Sequence, residues 1–170
     1  MRKYVITGGP CVGKTTTIDE LARRGHQTMP ETARMIIQEE LAKPNGVLPW
    51  TDLLGFQYLV LNRQMDLEKY LEGDSFFLDR AIDGIAYCRL GGIKVPKELI
   101  YFAKTNRYDR ILLLDQLPYK QDCERREDSV IAKKIHDEIF RVYTDFDYSP
   151  IRIPVLPLGA RADLVENVTQ

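Results

Sequence analysis

The chain has 170 residues, of which 44% are hydrophobic and 29% charged, with a formal net charge of -1. That is enough for one compact domain with a real core, and the near-neutral balance gives no sign of nucleic acid or an acidic membrane as a partner. The three widely spaced cysteines, Cys11, Cys88 and Cys123, form no CxxC and read as thiols of a reducing cytoplasm; no uncharged apolar run approaches membrane-spanning length, and no leader precedes the first expected strand.

In chain order, Lys3 to Thr7 reads as a short apolar strand. The run Gly8-Gly9-Pro10-Cys11-Val12-Gly13-Lys14-Thr15 then matches G-x-x-x-x-G-K-T, the P-loop pattern, at every fixed position. A helix from Lys14 to Arg24 follows, stopped by Gly25. Strand, glycine turn and helix N-terminus together make an anion trap, because free backbone N–H groups face the phosphates and the helix dipole favours negative charge. In that reading Gly8 to Thr16 cradle the nucleotide, Lys14 reaches its β- and γ-phosphates, and the Thr15 hydroxyl ligates Mg²⁺. Cys11 reads first as a small residue that fits the loop, with a thiol activated by the loop's positive field as the other reading.

A second strand is expected over His26 to Met29, then a helix from Thr32 to Ala42. A long helix is expected from an N-cap at Thr51 to Leu71, with Leu54, Tyr58, Leu61 and Met65 at helical spacing. A buried third strand covers Ser75 to Asp79, with helices over Ile82 to Leu90 and Pro96 to Thr105. The fourth strand, Ile111 to Asp115, is apolar on both faces. The amphipathic helix Ser129 to Phe146 carries Ile131, Ile135, Ile139 and Val142 on one face. A fifth strand over Ile153 to Leu156, placed at a sheet edge by its proline, and a helix from Ala160 to Val168 complete the pattern. Strands alternating with helices specify an α/β fold of three layers, a five-stranded parallel sheet covered on both faces. The expectation is a single P-loop nucleotide-binding domain over residues 1–170, with a lid region at about 117–128.

Ligands in such folds sit at the carboxyl ends of the strands, where the polar residues of this chain also gather. Asp79 is the Walker-B-like candidate to hold Mg²⁺ or its water, with helix capping as the other reading. Arg80 is a candidate for binding a substrate or transferred phosphate, with a surface ion pair as the alternative. Glu31 suits a base or hydrogen-bond acceptor for an acceptor hydroxyl, or a carboxylate favouring the start of the next helix. Arg34, three residues on, pairs with Glu31 or binds substrate. Arg125 and Arg126 lie in a charged stretch where a mobile lid would close over the phosphates. Trp50 and Tyr58 are weak pocket candidates, with core packing preferred, and His26 and His136 lack metal-ligand spacing.

Taken together, Ile6 to Pro10 with Gly13 to Thr16, Pro30-Glu31-Thr32-Ala33-Arg34, Leu78-Asp79-Arg80 and Pro118 to Asp122 with Arg125-Arg126 resemble the NadR-type AAA-domain family of small P-loop proteins. More distantly the chain is similar to deoxynucleoside and thymidylate kinases. The resemblance covers nearly the whole chain. It implies a doubly wound P-loop kinase fold, ATP or GTP with Mg²⁺, phosphoryl transfer to a small molecule, and a possible homodimer. It also places Glu31, Asp79, Arg80, Arg125 and Arg126 in the catalytic set. Position 123 is Cys where the family pattern has Gly before the lid arginines. No second AAA subdomain or sensor segment accompanies the P-loop. Three activities stay open at this stage: a kinase of nucleoside or nucleotide type, a nucleotide switch acting through a protein or lipid partner, and a plain ATPase. The guanine-reading motif N-K-x-D is absent, which argues against a Ras-like switch.

Overall fold

The computed structural model describes residues 1–117 and 129–170. The strands are β1 (Arg2–Thr7), β2 (Gln27–Met29), β3 (Ser75–Asp79), β4 (Arg110–Leu114) and β5 (Ile151–Ile153); the helices are α1 (Lys14–Arg23), α2 (Thr32–Leu41), α3 (Leu53–Lys69), α4 (Gly84–Leu90), α5 (Lys97–Thr105), α6 (Ser129–Asp145) and α7 (Leu158–Asn167). The five strands form one sheet in the order β2-β3-β1-β4-β5, every pair parallel. The expected three-layer α/β architecture is therefore present.

The sheet's two faces follow from the strand period of two. On one side Val5, Phe76, Leu78, Ile111 and Leu113 point into a core completed by α3, α4, α5 and α6, with Ile139 and Val142 of α6 fully enclosed. On the other, Tyr4, Ile6, Phe77, Leu112 and Leu114 pack on Ile18 and Leu21 of α1 and Ala162 and Val165 of α7. The three middle strands are buried on both faces, hence their continuous apolar runs. Strand β1 has the later strand β4 on one side and β3 and β2 on the other, so the chain reverses its direction of progress there; the crevice for a ligand opens at the carboxyl end of β1.

Several local expectations shift. Strand β5 ends at Ile153, so Pro154 follows the strand; the edge position holds, and Asp115 N–H extends the ladder by donating to Ile153 O at 2.9 Å. Asp52, not Thr51, caps α3, its Oδ1 accepting from Gly55 N–H at 2.8 Å. The inner face of α3 is Phe56, Gln57, Leu61, Gln64 and Glu68, while Leu54, Tyr58 and Met65 are exposed. Buried glutamines that line a cavity defeat a reading by apolar spacing. Ile131 is likewise exposed, although Ile135, Ile139 and Val142 are buried as expected. Helix α4 starts at Gly84, with Asp83 in the N-cap position, so Asp79 is no helix cap. Trp50 is 65% exposed, so the preferred core-packing role fails for it.

Removing methylenes from the sheet centre should be costly. Leu112→Ala, at a side chain with no exposure, is expected to lower unfolding free energy by about 2–5 kcal/mol, read as a lower urea midpoint with an unchanged slope.

Candidate active site

The turn after β1 is a loop whose shape only certain residues tolerate. Gly8 has φ 137°, and a Cβ there would stand 2.9 Å from Leu114 O. Cys11 and Gly13 also take positive φ, 63° and 82°. Val12 is buried in the core, whereas Pro10, Cys11, Gly13, Lys14, Thr15 and Thr16 face a cavity of about 1220 Å³. Gly13 is the N-cap of α1 and supplies no side-chain cap. The first amides of α1 therefore stay available to an anion. Gly9 N–H is held from behind by His136 Nδ1 at 3.2 Å. Burial pulls the His136 pKa down, which keeps the ring neutral and able to accept that bond.

Lys14 is 6% exposed, and its Nζ donates to Gly8 O at 3.0 Å and Gly9 O at 2.8 Å. Burial, then the nearby Arg80 charge, lower its pKa to about 8 against the opposing pull of Asp79, Glu31 and Asp83. Asp79 is 1% exposed and its Oδ1 has no hydrogen-bond partner. Burial raises its carboxyl to about 6, and Glu31 pushes the same way while Lys14 and Arg80 pull it down. A desolvated carboxylate oxygen without a donor suits a cation or its water, which Thr15 Oγ1 could share. Among the described residues no cluster of three or more His, Cys, Asp or Glu side chains forms a metal site of its own.

Arg80 breaks from β3 with φ 71°, rare for a residue with a side chain. Its N–H continues the sheet to Ile6 O at 3.1 Å, and the turned side chain reaches the cavity. Nη1 donates to Tyr87 OH at 2.8 Å, Nη2 pairs with Glu31 Oε1 at 3.1 Å, and Nε has no partner. The pair is largely buried, so the surface-ion-pair reading of Arg80 does not hold. Glu31 occupies the N-cap position of α2 but makes no capping bond there; its carboxylate turns to Arg80 instead. Arg34 lies 3.9 Å from Glu31 and is half exposed at the cavity wall. Trp50, Phe56, Gln57 and Gln64 line the same cavity. Tyr58 does not; it faces a separate cavity of about 700 Å³ between α3 and α5 and donates to Glu98 at 3.1 Å. Asp115 pairs with Arg152 at 3.5 Å. Arg125 and Arg126 lie outside the described residues.

One carboxylate escaped the sequence reading. Asp83 is 2% exposed, accepts from Thr7 Oγ1 at 2.6 Å and Tyr143 OH at 2.7 Å, and reaches the cavity wall. Its signal was the Asp four residues after Asp79 at a helix start, which resembles ordinary capping. His26, in contrast, is peripheral: it pairs with Glu166 at 2.7 Å and rests edge-on against Phe77.

A family model described as AAA domain matches residues 3–161. The chain belongs to this AAA domain family. No curated protein matches it in sequence. Among solved structures, deoxyadenosine kinase from M. mycoides with products dCMP and a flexible dCDP bound aligns with the AAA domain at TM-score 0.65 and 16% identity, covering 98% of this chain and 97% of that one. NadR protein in complex with NR gives 0.71 and 18%, covering 98% of this chain and 50% of NadR, so this chain spans about half of NadR's length. Thymidylate kinase from Candida albicans gives 0.65 and 16%, covering 99% and 91%. These likenesses show a common fold. No helix of the AAA domain, among the described residues, is long and apolar enough to cross a membrane.

The depressed Lys14 pKa has a defined sign. In the free protein Lys14 loses its proton near pH 8, whereas the unfolded chain holds it to about 10.5. Between those values the unfolded state carries more protons, so folding stability gains as pH rises through this window. Urea unfolding from pH 7 to 10.5 should show wild type gaining on Lys14→Met over that interval; parallel profiles would contradict the buried, desolvated ammonium.

Proposed function

We propose that the AAA domain is a phosphotransferase that binds ATP with Mg²⁺ and moves its γ-phosphoryl group to a small nucleoside- or nucleotide-like acceptor. The observation that carries this reading is the single cavity joining the P-loop face to Glu31, Arg80, Trp50 and Gln57. About 1220 Å³ is more than a triphosphate fills, and the surplus lies beside a carboxylate. A hydrolase or switch needs no such surplus volume.

Phosphoryl transfer demands positioning and charge neutralisation above all. The α1 amides and Lys14 would hold the β- and γ-phosphates, and GTP would meet the same backbone donors as ATP. Thr15 and Asp79 would hold Mg²⁺, which when bound offsets phosphate charge. Glu31 would accept the proton of the acceptor hydroxyl, with Arg80 orienting its carboxylate and adding positive charge beside a transferred phosphate. Trp50, exposed at the rim, offers a flat apolar surface to the acceptor. Arg125 and Arg126, in the lid region at about 117–128, would close over the phosphates. The reading takes residues 1–170 as one nucleotide-binding domain acting in the cytoplasm, able to pair as a homodimer, without a nucleic-acid partner.

Transfer is tested with γ-labelled ATP and Mg²⁺ against pooled nucleosides, nucleotides and nicotinamide riboside, with Lys14→Ala as control. Label on an organic product, absent with Lys14→Ala, is expected. Release of free phosphate alone would favour an NTPase, and binding without turnover a switch. Glu31→Gln should lower kcat by about 10²–10⁴-fold with ATP affinity retained. Equal loss of binding and turnover would remove Glu31 from the role of base.

A further inference from the structure

A buried cation from α7 also lies against the P-loop. Arg161, in the first turn of α7, is 6% exposed. Its Nη1 donates to Val12 O at 3.2 Å and to Thr17 Oγ1 at 3.4 Å; Nη2 donates to Leu156 O at 3.2 Å. Among the described residues no carboxylate pairs with it. Burial pulls its pKa below the usual arginine value, with no acid opposing that pull. A guanidinium held only by carbonyl and hydroxyl dipoles is an expensive group to bury, and Met or Leu would tie α7 to α1 at lower cost.

The position of the charge suggests what it serves. A Cβ on Gly13 would lie 2.6 Å from Arg161 Nη1, so the guanidinium occupies the space that a side chain at Gly13 would need. The carbonyl it grips belongs to the Val12–Gly13 peptide. In a planar trans peptide the C=O and the following N–H point to opposite edges. A charged donor on the Val12 oxygen polarises that unit and strengthens the Gly13 N–H as a donor on the far edge.

We propose that Arg161 is a positioning residue for the nucleotide: it fixes the Val12–Gly13 peptide, sharpens the Gly13 N–H toward the phosphates, and takes the bound triphosphate as its counter-charge. This rests on the nucleotide-binding reading above. It separates Arg161 from a mere structural pin, because the cost of its burial is offset only when an anion is bound.

The test is titration of the full chain with mant-ATP and MgCl₂, alongside melting of the free protein, for wild type, Arg161→Met and Arg161→Lys. Arg161→Met should weaken mant-ATP binding about tenfold. Its free-protein Tm should stay near that of wild type or rise, and the Tm shift on adding ATP should shrink. Arg161→Lys, which keeps the charge but concentrates its donors on one nitrogen in place of the planar fork, should fall between the two. The Gly13 amide proton should move upfield in Arg161→Met. Wild-type affinity in Arg161→Met overturns the proposal, as does a Tm that collapses in step with affinity with no rescue by Lys. Should Arg161→Met fail to fold, Arg161→Lys decides: weaker binding at preserved Tm supports the role, and unchanged binding overturns it. A wild type that binds no mant-ATP fails the nucleotide reading itself, an outcome distinct from the variants matching a wild type that does bind.

Discussion

An ammonium group held under a turn of bare backbone is the constraint around which this molecule is arranged. Lys14 leaves water almost completely, and carbonyl oxygens of Gly8 and Gly9 are its direct partners. Acids standing close by help to support this charge. Asp79, Glu31 and Asp83 come from the ends of β3 and β2 and the start of α4, so the order of the parallel sheet delivers the compensation. Arg80 complicates the balance: a second cation in the same space lowers the hold of Lys14 on its proton. The result is a cluster of three acids and two bases sharing one space at the strand ends.

The same parts explain why the carboxylates differ. Asp79 is desolvated with one oxygen unpartnered, and its proton affinity rises. Asp83, equally buried, has each oxygen occupied by a hydroxyl, from Thr7 at the end of β1 and Tyr143 of α6. That pair of bonds ties the strand leading into the P-loop to the far helical layer. Glu31 is held in an ion pair with Arg80 and lines the open cavity.

Much of the fold was legible because its signals are local. The P-loop spacing announces a strand-turn-helix unit, and the apolar runs Ser75–Asp79 and Arg110–Leu114 lack the alternation of a half-solvated strand. What the sequence concealed depends on long-range placement. The inner face of α3 is partly amide, since Gln57 and Gln64 face a cavity and Gln64 also bonds Glu68 at 2.8 Å, so apolar spacing selected the wrong stripe. The positive φ of Arg80 leaves no mark on composition. The roles of His136 and Arg161 are equally silent, because each meets the P-loop across more than 120 residues of chain. At the candidate site, Lys14, Glu31 and Arg80 share the cavity and Asp79 interacts with all three; Asp83 required the tertiary structure.

The two edges of the sheet have a consequence for how this protein meets others. Both outer strands, β2 and β5, are three residues long, and Pro154 follows β5 directly. A short strand offers few free backbone donors and acceptors to an incoming chain, and proline removes one more. The sheet is thus poorly suited to growth by strand addition, which protects a buried, strongly apolar core from templating aggregates. Association between copies is better served by surfaces where side chains rather than backbone set the specificity.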